Sequence, residues 1–210
     1  MQQAIRQITL TEFVDFVAAT GTQRITKVRE IQERPDYDPR FDFWKKLRDT
    51  IVTFHREGKP RAFLDGALDE LRDLKKVQRY PALVTSYKRF LGRKEINWFD
   101  PPAGVWSHGQ LSVRINPELG LVIAGTPHLV KLYFKSEPLS KRRVEVILHL
   151  LEQWAPLMDG TRATPAVLDV PKGKLIPMAS VPTDLGILLD ADAYSFVLIW
   201  QGIRTLRGRR

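Results

Sequence analysis

The chain has 210 residues, 43% hydrophobic and 27% charged, a balance that fits a folded globular protein and excludes a disordered tail. Its 33 Lys and Arg against 24 Asp and Glu leave a net charge of +9 and a pI near 9.9, a field that attracts polyanions or acidic proteins. The absence of cysteine removes disulfides, thiol nucleophiles and thiolate zinc sites, and suits a reducing compartment.

Residues 1–10 carry no basic-then-apolar signal pattern, and the longest apolar run, Phe196 to Trp200, is far shorter than a membrane-spanning helix. Neither Asn97 nor Asn116 lies in a glycosylation sequon. The expectation is a cytoplasmic protein with no membrane partner.

The first half has helical periodicity. Thr9 or Thr11 caps a short helix through Glu12, Phe13, Phe16 and Val17 that stops near Gly21. A second helix is predicted from Asp38-Pro39, with Phe41, Trp44, Leu47, Ile51 and Phe54 on one face and Gly58 at its end. A third carries Leu64, Leu68, Leu71 and Leu74. A fourth starts at Pro81, carries Leu83, Val84, Tyr87, Phe90 and Leu91, and closes at Gly92.

Only four of the 14 prolines lie in residues 1–100, and the break near Phe99-Asp-Pro-Pro-Ala-Gly104 divides a helical region, 1–98, from a sheet region, 99–210. Val105–His108, Leu111–Asn116, Leu119–Ala124 and His128–Lys135 read as strands, and their short connections predict an antiparallel meander. Ser140 caps a helix through Val144, Ile147, Leu148 and Leu151. Two more strands, Ala166–Val170 and Leu175–Met178, pair across the two-lysine turn Pro171-Lys-Gly-Lys174. Asp184 opens a last helix through Leu185, Leu188, Leu189, Phe196, Val197 and Trp200, followed by a basic frayed tail from Gly202 to Arg210. The fold class predicted is α+β: an N-terminal helical layer, then a mainly antiparallel sheet flanked by helices.

No phosphate-loop, dinucleotide-binding or nucleophile-elbow motif is present. His55, His108, His128 and His149 fall at no metal-ligand spacing, although His108 and His128 would meet if their strands were neighbours. No metal site and no cofactor are therefore expected. Asp190 and Asp192, two apart in a helix, point to different sides and form no dyad. Asp169, on its short strand, is the one acid in a setting that suits catalysis.

The basic residues are more informative. From Lys75 to Lys94 there are seven cations and no acid, interleaved with Tyr80, Tyr87 and Phe90. Cations neutralise phosphates and aromatic rings stack on unpaired bases, but the same aromatics in register with Leu83 and Leu91 make a core face. Alternation in the strand from His128 sets Leu129, Lys131, Tyr133 and Lys135 opposite Val130, Leu132 and Phe134. With Ser112 and Arg114 they make either a basic, half-open sheet face or a guarded edge.

A helix, a meander, a helix and a further strand, from Pro81 to about Val170, is similar to the αβββαβ core of the PD-(D/E)XK nuclease-like superfamily. The resemblance implies a divalent ion held by a carboxylate on the second strand and an acid-x-Lys on the third. Lys131 or Lys135 matches the family lysine and Glu118 the first acid, while Leu129 or Tyr133 replaces the acid two residues before the lysine.

Three functions follow. The first is a non-enzymatic or catalytically degenerate nuclease-like module that binds nucleic acid, DNA or RNA, through Lys75, Lys76, Arg79, Lys88, Arg89, Arg93, Lys94, Lys131, Lys135, Lys141, Arg142, Arg143 and the Arg-rich tail. The second is an interaction subunit that takes an acidic or complex-forming protein partner, with Trp98, Phe99 and Trp106 as an exposed anchor. The third is a metal-dependent nuclease using Glu118, Lys131 and Asp169, the one case that requires a divalent cofactor.

Overall fold

In a computed structural model of the chain, residues 5–35, 42–180 and 184–207 are described. The fold is α+β, and five strands, four of them expected, form its main sheet around a parallel crossover.

The chain opens with β1 (Ile8–Thr9), α1 (Leu10–Ala18) and α2 (Thr22–Glu33). Thr9 starts α1 with a reciprocal capping box: its hydroxyl accepts from the Glu12 amide at 3.3 Å, and the Glu12 carboxylate accepts from the Thr9 amide at 2.8 Å. Only Val28 and Ile31 of α2 are buried, a pattern too thin to announce a helix by periodicity.

Next come α3 (Lys45–Arg56), a 3₁₀ helix (Arg61–Leu68) and α4 (Leu74–Leu91). The predicted opening of α3 at Asp38-Pro39, and Phe41 with it, lie outside the described residues. The third predicted helix is shorter and tighter than expected, because Asp73 caps a new helix: its carboxylate accepts from the amides of Lys75 and Lys76 at 2.8 and 3.2 Å. Leu74 thus leaves the leucine stripe and stands exposed. Pro81 lies inside α4 rather than at its start, on the exposed side, while the adjoining Tyr80 is fully buried and holds the helix through the missing amide.

The strands are β2 (Ile96–Phe99), β3 (Gly104–His108), β4 (Leu111–Ile115), β5 (Leu119–Ile123) and β6 (Thr126–Tyr133). After them come α5 (Lys141–Glu152), the small hairpin β7 (Leu157–Met158) and β8 (Thr161–Arg162), then β9 (Thr164–Asp169), β10 (Lys174–Pro177) and α6 (Leu185–Arg207). As predicted, Ser140 caps α5, and β9 pairs antiparallel with β10 across the two-lysine turn.

The expected single meander is two sheets. The chain leaves the first at Asn116-Pro117, so β3 pairs antiparallel with β4, β4 pairs in parallel with β1, and β5 joins the second. The second runs β10-β9-β6-β5-β2, with β6 and β9 parallel across α5 and every other pair antiparallel. Its edge β2, for which no strand was predicted, runs up to the predicted junction and shares Phe99 with it. Gly104, at the start of β3, lies against Trp154, whose Nε1 would be 1.6 Å from a Cβ at that position, so no side chain fits there.

Alternation along β6 and β9 separates two hydrophobic layers. Leu129, Tyr133 and Val167 face α1, α2, α5 and α6, whereas Val130, Leu132, Ala166 and Leu168 face α3, the 3₁₀ helix and α4. α6 continues through Gly202 to Arg207 instead of fraying, since Ile203 is buried in the first layer. No described helix is long and apolar enough to cross a membrane.

Candidate functional site

The end of β6 brings charges into the interior. Alternation turns Lys131 toward Glu118 at the mouth of β5, where their Nζ and Oε1 atoms lie 2.5 Å apart. The other Glu118 oxygen accepts from the Leu132 amide at 2.8 Å, and Lys131 also donates to the Asn116 carbonyl at 3.2 Å. Both side chains are at most 10% exposed.

Four residues beyond Lys131, Lys135 reaches Asp15 of α1 at 2.5 Å; Asp15 also accepts from Arg143 of α5, which donates to Glu137 at 3.1 Å. Burial pulls the Arg143 guanidinium down, but the hydrogen bond and charge of Asp15, with Glu137, more than offset it and hold its pKa above the ordinary value. Arg48 of α3 is likewise held up against its burial by Asp42, at 2.9 Å, and by the charge of Glu118.

These side chains, with Trp44 and Ile147, enclose a cavity of about 100 Å³. Four cations, Arg48, Lys131, Lys135 and Arg143, line it against two carboxylates, Asp15 and Glu118. Each of them is engaged with another protein group, and the Lys135–Asp15–Arg143 bonds tie α1, α5 and the end of β6 together.

The donor set does not fit a divalent ion. Leu129, two residues before Lys131, and Tyr133, two residues before Lys135, are both in the first hydrophobic layer, and the Lys131 ammonium occupies the Glu118 carboxylate. Asp169 is on the neighbouring β9, in register with Tyr133, but its buried carboxylate takes the Lys172 ammonium at 3.2 Å and it does not line the cavity. Among the described residues no cluster of three His, Cys, Asp or Glu could hold an ion.

The histidines are dispersed. His108 and His128 lie in different sheets, so their strands are not neighbours and the two rings do not meet. His108 pairs with Asp190 at 2.9 Å, and His128 bonds the Thr126 carbonyl at 2.8 Å. His55 is buried against Tyr87, with Nε2 and the hydroxyl 2.6 Å apart, and burial takes its pKa down to about 4.

The basic segment divides by helix face. Tyr80, Tyr87 and Phe90 are buried in the second layer, so base stacking from this segment is ruled out by packing. Lys88 is paired with Asp65 at 2.6 Å. Lys76 stands over the Phe43 ring, and Lys94, bonded to the Phe90 carbonyl, over the Phe90 ring.

On the outer face, Lys75, Arg79, Ala82, Ser86 and Arg89 follow one another at helical spacings of four and three, and all but the half-buried Ser86 are exposed. Exposed Arg93 follows just past the Gly92 cap. The β9–β10 turn abuts this face: Ser86 donates to the Pro171 carbonyl at 3.0 Å and Arg89 to the Lys172 carbonyl at 3.1 Å. Gly173, at φ 60°, makes that approach possible, because a Cβ there would lie 2.7 Å from the Ser86 carbonyl oxygen. Exposed Lys174 extends the surface.

The remaining predicted cations are elsewhere. Lys131, Lys135 and Arg143 are cavity groups rather than an open basic sheet face, and Arg114 belongs to the other sheet. Arg142 pairs with Asp192 at 3.2 Å, and Lys141, 90% exposed, lies 3.6 Å from Glu145. The aromatic anchor also differs from expectation: Trp98 and Phe99 are half-buried in β2, and Trp106 packs on Phe13 with ring centroids 5.3 Å apart. Asp15 and Arg48 carried no sequence signal, because Asp15 meets Lys135 across 120 residues. No family model matches the chain, and no curated protein matches it.

Proposed function

We propose that the protein is a non-enzymatic, nuclease-like module that binds nucleic acid through the outer face of α4 and the adjoining β9–β10 turn. The observation that carries this reading is the alignment of Lys75, Arg79 and Arg89 on one face, joined by Arg93 and Lys174, with no acid between Lys75 and Lys94. From Lys75 to Arg89 the face extends about 21 Å, the length of about six base-pair steps.

The order α4, β2, β5, β6, α5, β9, with the β3–β4 hairpin inserted after its first strand, supports the nuclease-like part. Leu129 at the acid position and the closed Glu118–Lys131 pair support the non-enzymatic part. The cationic face also lies on the opposite side of the sheet from that pair, since α4 covers Val130 and Leu132 while Lys131 points away. Binding and the remnant of a catalytic centre are thereby separate.

With its aromatics buried, this surface recognises phosphates and not bases, so duplex and single strand of any sequence are ligands and unpaired bases bring no gain. Anisotropy titrations of labelled duplex and single-stranded DNA and of RNA at several salt concentrations test it. Four or five neutralised phosphates give a slope of log affinity against log salt of about −4 for duplex DNA. Flat salt dependence, or no binding at low salt, contradicts the reading.

A further inference from the structure

Half of the large apolar side chains exposed among the described residues lie on α6: Ile187, Leu188, Tyr194, Leu198 and Leu206. The opposite face of the same helix, Leu185, Leu189, Phe196, Trp200 and Ile203, is buried in the first hydrophobic layer. α6 is therefore apolar on two sides, and the fold uses one of them. We propose that the other side pairs antiparallel with α6 of a second copy of this chain.

The spacing is that of a helix seam. Positions 187, 191, 194, 198, 201 and 205 alternate steps of four and three, the heptad repeat that another helix complements. Ile187 is 71%, Tyr194 60% and Leu198 68% exposed, and Ala191 and Thr205 are exposed between and beyond them.

Self-complementarity selects the direction. An antiparallel pairing that sets Tyr194 on Leu198 of the second copy sets Ile187 on Thr205 and Ala191 on Gln201. The same register sets Leu188 beside Gly202 and Asp190 beside Arg204, large against small and acid against base, and twofold symmetry repeats each pairing. A parallel pairing in register would oppose Asp190 to Asp190 and Arg204 to Arg204. The β3–β4 turn borders the seam and steadies it, with the His108 ring edge-on to Tyr194 at 4.6 Å and Gln110 accepting from Gln201 at 3.1 Å.

Ile187, Tyr194 and Leu198, with Leu188 on the flank, leave on the order of 400 Å² of apolar surface per copy, within the range of the largest patch on a monomer. With the area of Ala191, Gln201, Gly202, Arg204 and Thr205, two copies together reach the ~1,000 Å² at which a specific interface begins.

The absence of native cysteine makes the test direct. Ile187→Cys and Thr205→Cys are made separately; the two positions are about 27 Å apart along one helix, too far for a bond within one chain. The account expects the wild type to sediment as a concentration-dependent dimer, and Leu198→Lys, at an exposed site, as a monomer. Oxidation of the two cysteine variants mixed is expected to give a disulfide dimer, and oxidation of each alone almost none. A wild-type monomer at every concentration overturns the proposal, including one that binds anionic vesicles, which would assign the face to lipid. Cross-linking of each variant with itself overturns the antiparallel register.

Discussion

The cavity at the end of β6 and the outer face of α4 are built from the same residue types and do opposite things. In the cavity, four cations are held by Asp15 and Glu118 and by nearby Asp42 and Glu137, and the charges serve packing. On α4, Lys75, Arg79 and Arg89 point away from the sheet with no acid along the helix, and their charge is presented to solvent. A count of cations cannot distinguish the two, because what matters is which layer each strand or helix turns its side chain toward.

The largest expected effect breaks the cavity side. Lys131→Ala leaves the Glu118 carboxylate buried without its cation, at a cost of about 3–5 kcal/mol, whereas the double replacement Glu118→Leu with Lys131→Met removes both charges and loses mainly the acceptor of the Leu132 amide, about 1–3 kcal/mol. Denaturant unfolding of the two variants measures the difference. Equal losses in both would mean that the pair is not an interior one.

His55 sharpens the contrast through pH. Its folded-state pKa of about 4 lies below the ordinary 6.5, so the unfolded chain binds a proton between those values and the folded chain does not. The contribution is fully present above pH 6.5 and is lost as pH falls to 4, amounting to about 3 kcal/mol. In His55→Gln the slope of stability against pH over that window should flatten by this amount.

On the outer face, Arg79→Glu with Arg89→Glu should weaken duplex affinity at least about tenfold and reduce the salt slope by about 2, with little change in stability. Lys88→Ala, which removes a surface pair with Asp65, should change stability by less than about 1 kcal/mol.

Much of the fold was legible because its signals are local. Thr9, Ser140 and Asp184 mark helix starts, strand alternation assigned the two sides of β6 correctly, and the two-lysine turn joins β9 to β10. What escaped depends on distant parts of the chain. α2 buries two residues only, β1 has meaning only beside β4, and the division of the sheet at Asn116-Pro117 rests on pairings between strands distant in sequence, β1 with β4 and β2 with β5. The candidate site was legible in part for the same reason. Glu118 and Lys131 stand side by side on neighbouring strands and were named together by resemblance, as acid and lysine of a metal site and not as an ion pair, while the cations of β6 and α5 read as a surface because Asp15, far away in sequence, neutralises them.

The most direct test of the division between the two regions is duplex binding, at fixed low salt, of the Arg79→Glu/Arg89→Glu protein beside the Glu118→Leu/Lys131→Met protein. The account expects the first to lose affinity at least about tenfold and the second to bind like the wild type. Loss of affinity in the second with the first unchanged would move the nucleic-acid site to the cavity and contradict the central claim.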